Sequence, residues 1–143
     1  MGFSGKFVHA INANGRVSIP SKFRENLKSV RSEDRIVLRK TSACVQAYPT
    51  EDWWKFFNAL PTKTKSDRYA KRKISANSME VEIDNNGRVL LPAEFRERFS
   101  SECVFLGMGD GLFEIWDSGA WQEVSSEEID SEELSPEYGE FEL

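Results

Sequence analysis

Short apolar stretches, broken every few residues by turn signals, set the character of this chain. FVHAI (7–11) and MEVEI (79–83) alternate partly between apolar and polar positions, and each runs into an Asn-Gly pair. Asn-Gly tolerates the positive φ of a tight reversal, so each stretch reads as strand, turn, strand. RVSIP (16–20) and RVLLP (88–92) supply the second strands. Pro20 and Pro92 then suit the first turn of short helices over SKFRENL (21–27) and AEFRERF (93–99). Two further strand pairs follow, RIVLRK with ACVQAYP and CVFLGMG with LFEIWD, the second pair joined by Gly109-Asp110-Gly111. Each half closes on an aromatic helix, with Thr50 expected as N-cap before Glu51 and Asp52, and Ser118 as N-cap before Trp121. The predicted order is ββαββα, twice.

The doubling is visible in the letters themselves. FVHAINANGRVSIPSKFRENL (7–27) aligns without gaps with MEVEIDNNGRVLLPAEFRERF (79–99). Asn14, Gly15, Arg16, Val17, Pro20, Phe23, Arg24 and Glu25 recur as Asn86, Gly87, Arg88, Val89, Pro92, Phe95, Arg96 and Glu97. Further on, Trp53 falls opposite Trp121. The organisation expected is a first repeat over 1–57, a basic connector over 58–78, a second repeat over 79–121 and a tail over 122–143. A half of about 60 residues buries too little surface to be stable alone, so the halves are expected to share one core as a small mixed barrel with internal two-fold pseudosymmetry.

Charge changes the picture at the C-terminus. The formal net charge is −5, but residues 122–143 hold nine Asp or Glu and no Lys or Arg. The remainder has 15 acidic against 19 basic residues, a net of +4. A mildly basic body with a strongly acidic tail is compatible with nucleic acid without demanding it. No run approaches the roughly 20 apolar residues of a membrane span, and the start MGFSGKFVHA lacks the apolar stretch of a signal peptide. A cytosolic protein is expected. Cys44, Cys103 and the single His9 cannot complete a four-ligand zinc site, and no metal or cofactor is predicted. The two cysteines read as reduced core residues. With one histidine, no phosphate loop and no dinucleotide fingerprint, catalysis is not predicted either. Glu80 and Glu82 alternate onto a solvent face of their strand.

Candidate chemistry concentrates in the repeated turn. An Arg directly after a turn Gly projects from the rim of a fold, where its planar fork suits phosphate oxygens or the O6 and N7 of guanine. Two readings of Arg16 and Arg88 stand at this point: contact with a nucleic acid, or a pair with a neighbouring carboxylate such as Asp84 that pins the turn. Arg24 and Arg96 lie on the following helix, where a bridge to a nearby Glu competes with DNA contact. Lys22 has Glu94 as its counterpart, which makes the first half the more basic face. The connector from Lys63 to Lys73 carries six basic residues and one Asp, and a helix through it puts Arg68 and Arg72 one turn apart. Its simplest reading is a solvated helix face. Trp53, Trp54, Phe56, Phe57, Trp116 and Trp121 read as core or subunit interface, and His9 as a structural side chain.

FSGKFVHAINANGRVSIPSKFRENL, IDNNGRVLLPAEFRERF and FEIWD together resemble the MraZ family of transcriptional regulators, whose halves are similar to the swapped-hairpin AbrB superfamily. The resemblance spans about residues 1–121. It implies an α+β fold, a tandem pseudosymmetric swapped-hairpin β-barrel with short helices. It further implies that Asn14, Arg16, Lys22 and Arg24, with Asn86, Arg88 and Arg96, form a DNA-binding set shaped by Asn12, Gly15, Asp84 and Gly87. The partners implied are promoter DNA carrying direct repeats upstream of the division and cell wall genes, and further copies of the chain in a homo-oligomeric ring. The family pattern, Asp-x-x-Gly-Arg within an Asp and Arg four apart, is complete at Asp84 to Arg88. The first half departs from it with Asn12, which still offers a hydrogen-bond acceptor. Antitoxins of the same superfamily suggest a second function, a protein-interaction module working through the acidic tail.

Overall fold

The computed structural model describes residues 2–30, 34–130, 132–141 and 143. The first half contains β1 (Lys6–Ala10), β2 (Arg16–Ser18), α1 (Ser21–Glu25), β3 (Arg35–Lys40), β4 (Val45–Pro49) and α2 (Thr50–Ala59). The connector forms α3 (Lys65–Ala76), and the second half repeats the order with β5 (Ser78–Glu82), β6 (Arg88–Leu90), α4 (Ala93–Arg96), β7 (Glu102–Gly107), β8 (Phe113–Asp117) and α5 (Ser118–Ser126). A 3-10 turn over Pro136–Glu140 lies in the tail. α1 passes into a π-type turn over Asn26–Val30.

Both reversals expected at Asn-Gly are present, with Gly15 at φ 84° and Gly87 at φ 75°. The strands flanking them, however, do not form hairpins with each other. β1 pairs with β7, β5 pairs with β3, and β2 pairs with β6 across the pseudo-two-fold. Between the segments flanking the first turn there is an isolated bridge, Ile11 to Val17, while β3 and β4 of that half do pair with each other. The reason lies in burial: exchange places Val17 directly opposite Val89, both sealed from solvent, where a half folded on itself would leave that face wet. Each fully buried valine contributes roughly 1.5–3 kcal/mol.

Six strands form one antiparallel sheet in the order β1-β7-β8-β4-β3-β5, and β2-β6 forms a separate ribbon. β1 and β5 are therefore edges, so the hydrogen-bonded strands do not close into the expected barrel. The ribbon instead covers one face of the sheet, and Val17, Ile19, Val89 and Leu91 pack with Phe23, Phe95, Phe105, Phe113 and Ile115 in the main core. The sheet's other face is covered as well. Trp53 of α2 packs on Tyr48 and Val37, and Trp121 of α5 packs near Trp116, Val104 and Cys44. That second layer explains why Ile36, Val37 and Leu38 are buried in succession, where a half-buried strand would alternate.

Two local expectations shift by one residue. The N-cap positions are Pro49 and Asp117, so Thr50 and Ser118 are the first helical residues. Asp117 does the capping for α5, its Oδ2 accepting from Ala120 N at 3.1 Å, while Oδ1 accepts from Ser100 N and Oγ at 2.9 Å. Desolvation raises its pKa, and these hydrogen bonds outweigh that, leaving the carboxyl below its ordinary range. The connector helix is closed at its start by a reciprocal capping box between Thr64 and Asp67. Glu80 and Glu82 do face solvent, where Arg35 meets them at 3.5 and 3.0 Å. Both cysteines are free and buried, and burial pushes Cys44 up to about 11 and Cys103 to about 12. Among the described residues, no helix is long and apolar enough to cross a membrane.

Candidate nucleic-acid interface

Each Asn-Gly turn is built around one side-chain acceptor. In the first, Asn12 Oδ1 takes hydrogen bonds from Asn14 N (3.0 Å) and Arg16 N (2.9 Å). In the second, Asp84 Oδ1 takes them from Asn86 N (2.8 Å) and Arg88 N (3.0 Å). Asn12 therefore does what Asp84 does, because the turn needs an acceptor and not a charge. The Arg88 amide bond is the main reason the Asp84 carboxyl sits below its ordinary value of 3.8; the Asn86 amide and the guanidinium charges of Arg88 and Arg16 add to it.

That shift carries a sign. Because the folded pKa is depressed, Asp84 adds stability above its unfolded value of 3.8, and the contribution is lost as pH falls through the lowered folded value. Asp84→Asn, which keeps the acceptor, is expected to match wild type near neutral pH and to lose less stability than wild type below about pH 4. Asp84→Ala is expected to be less stable at every pH. Thermal midpoints measured across the acid range check both, and an Asn variant as weak as the Ala variant would show that charge matters after all.

The turns are pinned across the pseudo-two-fold. Arg24, on α1 of the first half, donates from Nη1 to Asn86 O in the second turn at 3.2 Å. Arg96, on α4 of the second half, donates from Nη2 to Ala13 O in the first turn at 2.7 Å. Backbone bonds repeat the crossing, Ile19 N to Gly87 O and Leu91 N to Gly15 O, at 2.9 and 3.0 Å. Among the described residues, Arg24, half-buried, and Arg96, exposed, make no bridge to a nearby Glu; each holds the opposite turn. Nothing in the linear spacing signals this, since each reaches its partner only after the halves exchange.

Arg16 and Arg88 are left free to act. Both are exposed, and among the described residues neither guanidinium has an ion pair or hydrogen bond within the chain. The alternative in which Arg88 pairs with Asp84 to pin its turn is not what forms among the described residues: the turn is pinned by backbone amides on Asp84 Oδ1. In the ribbon Arg16 lies opposite Leu90 and Arg88 opposite Ser18, so the two arginines are diagonal neighbours on one outward face. Such positions are about 7–8 Å apart. The two arginine forks of the chain thus form one patch. Asn14 and Asn86 flank it at the exposed turn tips, and Lys22 is exposed at the start of α1. His9 lies behind, its Nδ1 2.5 Å from Ser18 O, which as an acceptor requires the proton on Nδ1.

A basic groove escaped the sequence reading. Arg39, Lys40, Lys73 and Arg98 line it between α3 and the β3–β4 turn, and among the described residues no carboxylate lines it. Scattered over three elements, these cations form no run in the sequence.

A family model described as "MraZ protein, putative antitoxin-like" matches residues 3–73 and again 74–137, the second match extending into the acidic tail that the sequence resemblance had left out. Proteins named transcriptional regulator MraZ are similar over most of the chain. That of Lactiplantibacillus plantarum is 36% identical over 130 residues, 87% of this chain and 89% of its own. Those of Thermoanaerobacter sp. (strain X514) and Thermoanaerobacter pseudethanolicus are each 34% identical, covering 92% and 97% of this chain and 92% and 98% of theirs.

Proposed function

The chain belongs to the MraZ family, and on that premise we propose that it is a transcriptional regulator reading double-stranded DNA through the β2–β6 ribbon. The observation that carries this reading is the patch itself: two arginines, unpaired among the described residues, on one outward face and held by turns whose backbone amides bond to Asn12 and Asp84. A two-stranded ribbon fits a major groove about 12 Å wide. Ribbon positions about 7–8 Å apart match base pairs two steps apart, at about 3.4 Å per step. Arg16 and Arg88 would make base or phosphate contacts, Lys22, Asn14 and Asn86 would add contacts to the backbone, and Arg24 and Arg96 would act by holding the turns. The exchanged strands support reading the two halves as AbrB-like swapped hairpins, although the sheet stays open.

The targets implied are direct repeats upstream of the division and cell wall genes, bound in the cytoplasm at the nucleoid by a homo-oligomeric ring. One patch per chain makes few phosphate contacts, easily screened at cellular salt. A ring repeats the patch in one sense at fixed intervals, so a second DNA repeat is engaged intramolecularly and avidity rises by about 10²–10⁴. Light scattering together with titration of operators carrying one, two and three repeats tests this. Affinity is expected to climb steeply with repeat number; affinity independent of it, or a monomeric mass at micromolar concentration, would refute the ring.

A protein-interaction role for the tail is the second reading. Ile129, Tyr138, Phe141 and Leu143 are exposed among its acids, an arrangement suited to a protein partner.

A further inference from the structure

The basic groove is a second strongly charged feature, separate from the arginine patch. It encloses about 600 Å³ between α3 and the β3–β4 turn. Arg39 is held in place there by Gln46 Oε1 at 3.1 Å and lies over the Phe56 ring at 5.5 Å. Lys40, Lys73 and Arg98 have no ion pair among the described residues. Tyr69, two-thirds exposed, and Ile74 add an apolar lining. The chemistry that fits is a peptide with several carboxylates and a few aromatic or aliphatic side chains.

This chain carries such a peptide. The tail from 127 on has Glu or Asp at eight positions and no Lys or Arg, with Ile129, Leu134, Tyr138, Phe141 and Leu143 interspersed. Its place in the repeat is telling. The two family matches put α3 at the end of the first repeat and the tail at the end of the second. Ser66-Asp67-Arg68-Tyr69-Ala70-Lys71 recurs in outline as Ser135-Pro136-Glu137-Tyr138-Gly139-Glu140, with Ser and Tyr kept and Arg68 and Lys71 turned to Glu. Equivalent segments of opposite charge are complementary between copies and self-repelling within a kind.

Among the described residues, none of the tail lines its own chain's groove. Its Tyr138 and Phe141 rings contact each other at 6.3 Å, and among the described residues the hollow it forms is lined by the tail itself, from Ser125 onward. Trp121 lies 5.6 Å from Trp116, so α5 doubles back over the sheet. We propose that the groove lined by Arg39, Lys40, Lys73 and Arg98 receives the acidic tail of a second copy of this chain. Repeated from copy to copy, the contact is head-to-tail. The inference rests on the reading of the chain as a homo-oligomer and names the surface that joins it.

Charge reversal on full-length chains tests it. A groove variant, Lys40→Glu with Lys73→Glu and Arg98→Glu, has a net acidic groove and an acidic tail; a tail variant, Glu127→Lys with Glu128→Lys, Glu132→Lys, Glu133→Lys and Glu137→Lys, has a basic groove and a net basic tail. None of these residues is in the arginine patch. Sedimentation at moderate salt should show each variant associating at least about tenfold more weakly than wild type, since like charges are juxtaposed. Mixing the two one to one should restore association, because each groove then meets a complementary tail on the other chain. Failure of the mixture to recover overturns the proposal, including its version within one chain, where both variants stay broken. Loss of DNA affinity in the groove variant alone, with masses unchanged, would make the groove a phosphate track instead. A wild-type monomer would defeat the oligomer reading as well, whereas an oligomeric wild type with unaffected variants defeats only the groove.

Discussion

Arg16→Ala or Arg88→Ala is expected to weaken operator binding by about 1–3 kcal/mol, roughly 5- to 150-fold, with the fold unchanged. The fold should hold because neither guanidinium has a partner inside the chain among the described residues, and the turn acceptors Asn12 and Asp84 bond only to backbone amides. Lys should substitute poorly at either position, since it lacks the planar fork that binds two acceptors at once. Being diagonal neighbours on one ribbon, the two should not behave independently, and the double variant is expected to depart from the sum of the singles. Salt dependence separates the two kinds of contact. A lost phosphate contact lowers the slope of log K against log salt by about 1, whereas a lost base contact relaxes specificity at one position with little change in slope. A folded double variant with wild-type operator affinity would end the assignment of the ribbon as the reading surface.

Gly87→Ala is expected to destabilise the protein by about 2–4 kcal/mol, lowering the thermal midpoint by about 4–16 °C. Two effects combine. At φ 75° any residue with a Cβ is strained, by about 1–2 kcal/mol. A Cβ there would also collide with the Arg24 side chain, displacing the guanidinium from Asn86 O. Gly15→Ala should cost less, because the corresponding approach of Arg96 is looser, 2.9 Å at its nearest atom. Making Gly87→Ala in an Arg24→Ala background isolates the collision: the penalty should fall to the conformational part alone. Equal penalties in both backgrounds would show that Arg24 gives way freely and that the close approach is of no consequence.

These two experiments probe parts of the protein that differ in how far the residues announced them. The repeat, the Asn-Gly reversals, the short helices after Pro20 and Pro92 and the exposure of the turn arginines all follow from local pattern, because each depends on residues a few positions apart. The acceptor role of Asn12 was equally legible, since its bonds reach only to residues 14 and 16. Arg24 and Arg96 were not. Their partners lie 62 and 83 residues away, and the choice between a local Glu and a distant carbonyl depends on which strand packs against which. The same holds for the groove cations, which come from a strand, the connector helix and the segment after α4.

The sequence by itself determined that there are two equivalent halves, that neither can enclose a core alone, and that each presents an arginine from a tight turn. Tertiary structure decided how the halves satisfy one another. Pairing Val17 with Val89 leaves a face of the ribbon dry and sets Arg16 and Arg88 side by side, although they are far apart along the chain. The physical reason is that burial and backbone hydrogen bonding are satisfied by the nearest partner in space. Local propensity chooses strand or turn at each position, but it carries no information about which of two like strands that partner will be.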